Sequence, residues 1–452
     1  MRSPRNVIIK WLTPGLRIKR WLILLFFGIT MLAVGFAQFL VALYRANDLP
    51  TPLYSVALHL PVWARVLALA GIGMGTIVIA VYELNHSILA PLMVRRRESL
   101  IDMVYTHSRR QRGLKVVAIG GGTGLPSVLR GMKAFTDNIT AVVTVADDGG
   151  SSGRLRRELG VLPPGDLRSN IAALADDEDL MTQLFQYRFA NGGLEGHSFG
   201  NLFLSALADI TGSMDQAVVE TGRVLAIEGR VLPATLHNVT LMAEVKMPGE
   251  ARLRQVFGES QIPESGGKIE RVFLQPDQVR AYPEAVRAIL SADLVVIGPG
   301  SLFTSILPNL LVVGIAEALR ASDAYKIYVC NVATQHGETG GFTVADHVAA
   351  LEAHIGRGLF DSVLVNNSYP SKNAGEKTHY VLPTPESHVI HQRYRVHMAD
   401  LTDAERPWRH DPGKLAQALL ALYHGATQAA PSHGSTAVVV NHAQARYRDK
   451  PG

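Results

Sequence analysis

Five short apolar runs limit what this chain can fold into. They are KVVAI from Lys115, AVVTVA from Ala141, DLVVIG from Asp293, KIYVCN from Lys326 and SVLVN from Ser362. Each is continuous rather than alternating, as expected of strands covered on both faces of a parallel sheet. Helical stretches lie between them, among them Ser127–Phe135 and Val344–Ile355. The alternation predicts an α/β fold, a Rossmann-like doubly wound parallel sheet. A mostly helical middle, about Asp166 to Ile227, interrupts the series and is expected to cap the sheet.

The loops after these runs hold the candidate chemistry. Gly120, Gly121, Gly122 and Gly124 follow the first run, with Thr123 among them and Pro126 near the next helix start. A strand, a glycine turn and a helix bring backbone N–H groups close to a pyrophosphate. No GK[ST] follows, and Leu125 stands where G-x-G-x-x-G has its last glycine. A tight turn that packs helix on strand is the alternative. The second run leads into VTVADDGGSSGR, where Asp147 and Asp148 stand side by side. Like charges so close call for a cation or a donor-rich ligand, and both are candidate Mg²⁺ ligands. Gly149 to Gly153, with Ser151 and Ser152, offer amides to an anion, and Arg154 offers a phosphate partner. The alternative is an Asp-capped helix with Arg154, Arg156 and Arg157 facing solvent.

Asp166 and Arg168, in LPPGDLRSN, are candidates for the same pocket, or else a helix cap and a surface charge. In GHSFGN, His197 is a candidate chemical group and Asn201 a ligand contact, while no G-x-S-x-G elbow surrounds Ser198. GPGSLFTSILPN supplies Gly298, Gly300, Ser301 and Thr304 as a second anion cradle after a strand. Asn331 and Asn366 end the next two runs at the same sheet edge, where a crevice at a topological switch point is expected. His336 and His347 lack metal-ligand spacing.

The N-terminal part has another character. Trp21 to Tyr44 holds no charged residue, and Val62 to Tyr82 holds only Arg65. Each meets the ~20 apolar residues that a bilayer span needs, so residues 21–82 are expected to form a transmembrane helical hairpin. The flanks, residues 1–20 and the linker 83–113, are rich in Arg and Lys. The positive-inside rule then puts both termini and the large domain in the cytoplasm, on a multi-pass inner-membrane protein. Much of the basic excess lies near these spans, which favours anionic membrane lipid over nucleic acid as a partner. The lone Cys330 excludes an intrachain disulfide and is expected in the core. Residues 425–452 read as a loose tail.

The longer motifs carry a family resemblance. VVAIGGGTGLPSVLRGMK, ITAVVTVADDGGSSGRLRRELGVLPPGDLRSNIAALA, LFQYRF, GHSFGNLFLSAL, GRVLPAT, ADLVVIGPGSLFTSILPNLLVVGI and KIYVCNVATQHGETGGFTVADHV fall in order between Leu114 and His424. This segment resembles the bacterial YvcK-type gluconeogenesis factors, of the superfamily of the 2-phospho-L-lactate transferase CofD. The resemblance implies a CofD-like nucleotide-binding domain over residues 114–424. It implies a UDP-sugar ligand, UDP-glucose or UDP-N-acetylglucosamine, and a role in cell shape and envelope synthesis on gluconeogenic carbon. It carries Asp147 and Asp148 onto the nucleotide and metal site, and Gly120–Gly124 and Gly298–Ser301 onto nucleotide-cradling loops. Envelope-synthesis proteins and a second copy of the chain are candidate partners. The hairpin departs from the better-known soluble members. The expectation is thus a membrane-tethered, nucleotide-sugar-binding regulator. An Mg²⁺-dependent transferase acting on a nucleotide diphosphate is the first alternative, and an NAD-dependent oxidoreductase the second.

Overall fold

The computed structural model describes residues 110–175, 180–371 and 379–429, with single positions 29, 30, 33, 36, 37, 40, 41, 71, 74 and 75. Its strands are β1 (Val116–Gly120), β2 (Ile139–Val143), β3 (Arg230–Pro233), β4 (Thr240–Lys246), β5 (Leu253–Phe257), β6 (Lys268–Gln275), β7 (Leu294–Ile297), β8 (Tyr325–Val329), β9 (Ser362–Asn366) and β10 (Arg395–Ala399). Seven of them form one sheet in the order β10-β9-β8-β7-β1-β2-β3. Every pairing in it is parallel. All five runs read from the sequence are strands of this sheet, and β1, β2, β7 and β9 are buried throughout. The α/β parallel-sheet expectation therefore holds.

β1 lies between β2 and β7, with Val116 level with both Ile139 and Leu294. The chain builds outward from β1 to β3, then returns to β7 on the other side and builds outward to β10. The order thus reverses between β1 and β7, and in open α/β sheets the crevice beyond that reversal is where ligands bind.

The helices follow from their sequences. α1 (Leu125–Met132) has Pro in its first turn and buries Leu125, Val128, Leu129 and Met132, a one-sided stripe at helical spacing. α2 (Gly150–Leu159) leads out of the paired acids. α3 (Pro164–Leu174), α4 (Leu180–Gln186), α5 (Phe199–Thr211) and α6 (Met214–Val224) make up the expected helical middle, and α3 packs on β2 and β3. α7 (Pro283–Leu290) precedes β7. After β7 a π-helical turn, Leu302–Ile306, runs into α8 (Leu307–Leu310), followed by α9 (Ile315–Ala321). α10 (Val344–Ile355) matches its sequence-derived bounds and begins with a Thr343–Asp346 capping box. α11 (Ile390–Arg393) and α12 (Pro412–Ala429) complete the set.

Two features were not read from the sequence. β3 and β10 are the outer strands of the sheet, and β4, β5 and β6 form a separate antiparallel sheet in the order β5-β4-β6. Along β6, Ile269, Val272 and Leu274 are buried while Lys268, Glu270 and Arg271 are exposed, so only one face is covered. α12 also runs past His424 to Ala429, and residues 430–452 lie outside the described residues.

The chain divides into two compact units, Met1–Arg109 and Arg110–Gly452. Most of the expected hairpin lies outside the described residues. The positions that are described there are helical, and Phe36, Leu40, Val41 and Met74 among them are exposed. No helix among the described residues is long and apolar enough to cross a membrane.

Candidate functional site

The glycine loops after β1 and β7 meet at the switch point. A Cβ on Gly124 would lie 2.3 Å from the carbonyl oxygen of Pro299, so only glycine lets these backbones approach. Gly298 has φ of +77°, a turn conformation that glycine adopts without strain. Asparagines hold both loops. Asn309 Nδ2 donates to the Gly120 carbonyl at 2.9 Å, and Asn170 Nδ2 to the Gly121 carbonyl at 3.1 Å. Asn331 accepts the Gly300 N–H at 3.0 Å and donates back to the Gly300 carbonyl at 2.8 Å. Asn331 thus clamps the second loop, whereas the sequence had marked it as a ligand contact. Asn366 likewise serves the fold: its Nδ2 donates to the Ser368 carbonyl at 2.5 Å, and its Oδ1 accepts the Leu401 N–H, far along the chain, at 3.2 Å.

A cavity of about 200 Å³ opens beside the loops. It brings together Thr123, Asp147, Asp166, Ser301 and Thr304 from the sequence reading, and adds Glu259, Ser305, Gln335 and Glu338. Asp147 Oδ1 accepts the Gly149 N–H at 3.0 Å, and the Ser152 hydroxyl also bonds to this carboxylate. Asp166 accepts the Gly122 N–H. A Cβ on Gly122 would lie 2.4 Å from Asp166 Oδ1, so the first loop runs directly against that acid. Ser301 Oγ donates to Glu338 Oε2, and Thr304 Oγ1 donates to Glu338 Oε1 at 3.1 Å.

Asp148 does not share this cavity. Its Oδ1 accepts the Ser260 N–H at 2.9 Å, and its Oδ2 packs against Gly258, where a Cβ would come within 2.3 Å. The neighbouring carboxylates therefore part, and Asp166 rather than Asp148 joins Asp147. The turn at residues 258–260, which the sequence reading did not include, engages Asp148.

Burial and like charge act together on these acids. Burial raises the Asp147 carboxyl above its usual range, with Asp148 adding to the rise. Asp166 is pushed up to about 7 by burial first and by Asp147 second. Glu259 is pushed up to about 8 by burial, then by Asp147 and Asp166. Burial also raises Glu338.

Ser151, next to Ser152 in the first turn of α2, belongs to a second polar group. Asn201 Nδ2 donates to Ser151 Oγ at 3.0 Å, and Ser151 Oγ shares a hydrogen bond with His197 Nδ1 at 2.9 Å. Burial lowers the His197 pKa and Arg154 lowers it further, which favours the uncharged ring. Ser198 caps α5, accepting the Asn201 N–H at 3.3 Å. Arg154 donates to the Glu195 carbonyl at 2.7 Å and Arg168 to Ser169 Oγ at 3.1 Å. Arg156 reaches the Val239 carbonyl at 2.5 Å, so it does not face solvent as an Asp-capped surface helix would require. Cys330 is a buried core thiol, raised to about 12 mainly by burial.

Comparison with known proteins fixes the family. A family model described as "2-phospho-L-lactate transferase CofD" matches residues 116–402. The chain belongs to the CofD family. Its relatives in this family include a "Putative gluconeogenesis factor" of Nostoc sp., 48% identical over 93% of this chain and 94% of that protein. The "Gluconeogenesis factor" of Bacillus subtilis is 54% identical over 56% of this chain and 78% of that protein. A crystal structure of a UPF0052 family member from Bacillus halodurans superposes with a TM-score of 0.64 at 46% identity. It covers 68% of this chain and 99% of the solved one.

Within this CofD-family site, Glu259 and Glu338 are the residues that sequence reasoning missed. Glu259 lies on the connection between β5 and β6 of the small antiparallel sheet, and Glu338 on the long connection from β8 to α10. The glycines of HGETGG, after the run KIYVCN, are the sequence signal that could have pointed toward Glu338.

Proposed function

We propose that this CofD-family gluconeogenesis factor is a membrane-tethered regulatory protein that binds a nucleotide-sugar through its diphosphate. UDP-glucose or UDP-N-acetylglucosamine is the ligand class, and bound ligand regulates cell shape and envelope synthesis during growth on gluconeogenic carbon. The contact between the two glycine loops at the β1/β7 reversal, beside a polar cavity, carries this reading. At about 200 Å³ the cavity is smaller than the ~300–1,000 Å³ usual for a whole ligand, so it suits the diphosphate end. The rest of the ligand then lies in the open crevice.

Mg²⁺ fits the donor set. Asp147 and Asp166 offer hard carboxylate oxygens to one cavity. That suits an ion that keeps its waters and binds one or two carboxylates plus phosphate oxygens. Asp147 and Asp166 would hold the ion, which would supply positive charge against the diphosphate. The membrane tether rests on the apolar runs at 21–44 and 62–82 with their basic flanks, which favour the inner face of the inner membrane. Envelope-synthesis proteins and a second copy of the chain remain the proposed partners.

A second reading is favoured by the Asp166 and Glu259 carboxyls, at about 7 and about 8, the range of groups that exchange protons at neutral pH. It is the Mg²⁺-dependent transferase acting on a nucleotide diphosphate. Titration calorimetry of the full-length chain in detergent with UDP-N-acetylglucosamine, with and without Mg²⁺, separates the two. Regulation requires saturable, Mg²⁺-aided binding with the ligand recovered intact, weakened at least about tenfold (about 1.4 kcal/mol) by Asp147→Asn. Turnover supports the transferase. Saturable NAD binding without any response to UDP-sugars would replace both with the oxidoreductase.

A further inference from the structure

The donors expected to cradle a ligand's phosphate are already engaged by the chain itself. Ser301 Oγ and Thr304 Oγ1 both donate to the Glu338 carboxylate, and so do the backbone N–H groups of Phe303 and Thr304. Two hydroxyls and two adjacent amides converging on one oxyanion form the donor set that phosphate oxygens use. The acids nearby on the cavity wall, Asp147, Asp166 and Glu259, carry the same sign and repel a carboxylate placed there.

We propose that Glu338 is the resident anion of this cradle, and that a phosphate-bearing ligand binds by taking its place. The inference rests on the diphosphate reading above and adds the step by which the site opens. Glu338 lies on a turn flanked by Gly337 and Gly341, at φ of +79° and +78°, so backbone rotation there moves the carboxylate. The same turn packs on the segment that carries Glu259, because a Cβ on Gly337 would come within 2.1 Å of the Pro263 carbonyl. Displacing Glu338 therefore disturbs the Glu259 side of the cavity as well. Selectivity follows. A ligand without a strong anion cannot compete for these donors and leaves Glu338 in place, whereas a diphosphate replaces every bond that Glu338 gives up.

Titration calorimetry of the full-length chain in detergent, with inorganic pyrophosphate and with uridine as probes, tests this. Glu338→Ala is expected to bind pyrophosphate at least about tenfold more tightly than the wild type. That is the gain if Glu338 fills the cradle in about nine chains of ten, because affinity scales with the open fraction. Uridine affinity is expected to stay unchanged. Pyrophosphate bound equally or more weakly by a variant that still melts cooperatively overturns the proposal, as does no pyrophosphate binding to either protein. Should Glu338→Ala fail to fold, Glu338→Gln decides with the same expected sign and a smaller gain. Tighter pyrophosphate binding with no UDP-sugar binding upholds the resident anion and sinks the nucleotide-sugar reading. UDP-sugar binding that Glu338→Ala leaves unchanged does the reverse.

Discussion

Asp166 shows how one residue ties the site to stability. Folded, it keeps its proton up to about pH 7, whereas an unfolded aspartate releases it near pH ~3.9. Between those values the folded state binds the extra proton, so ligand-free stability falls as pH rises toward and through about 7. Glu259 extends the fall to about 8. Melting temperatures measured in steps from about pH 5 to about pH 8 should decline in the wild type and decline less in Asp166→Asn. A flat wild-type profile would contradict the crowding of these acids. Asn170 is a structural counterpart, buried and bonded to the Gly121 carbonyl. Asn170→Ala leaves that carbonyl unpaired and should cost about 1–3 kcal/mol in denaturant unfolding. Sequence pattern exposed Asp147, Asp166, Ser301 and Thr304 because each lies just beyond a strand or a proline-marked helix start. It hid the asparagine clamps, because Asn170, Asn309 and Asn331 find their glycine partners only once the sheet has formed.

Among the elements, the two glycine loops act as one unit. Gly124→Ala would drive its methyl into Pro299 and force the loops apart, a strain of about 1–3 kcal/mol. The expected result is a lower melting temperature together with weaker UDP-sugar binding, and a stable variant with full affinity would show that the contact does not shape the site. The buried strands were legible because both faces of each are covered, which leaves an uninterrupted apolar run. β5 was not, since LRQVF is largely exposed and reads like a loop. With β4 to β6 unread, Glu259 and the turn that engages Asp148 had no visible place. Adjacent residues thus came apart, Asp147 turning to the cavity and Asp148 to the small sheet.

For the whole molecule, the strand order matters most. Because the chain reverses between β1 and β7, loops more than a hundred residues apart in sequence meet at one crevice. The N-terminal runs lend this domain a proposed membrane address. A protease added outside intact cells should then spare residues 83–113, and cleavage there would reverse the orientation. The central claim is that the loops at this reversal hold a diphosphate, and a crystal structure of the chain with UDP-N-acetylglucosamine and Mg²⁺ tests it most directly. The account predicts phosphate oxygens within hydrogen-bond reach of the loop after β1 and of Ser301 and Thr304, with Glu338 turned out of the cradle. A diphosphate seated elsewhere, with the cradle still filled by Glu338, would contradict it.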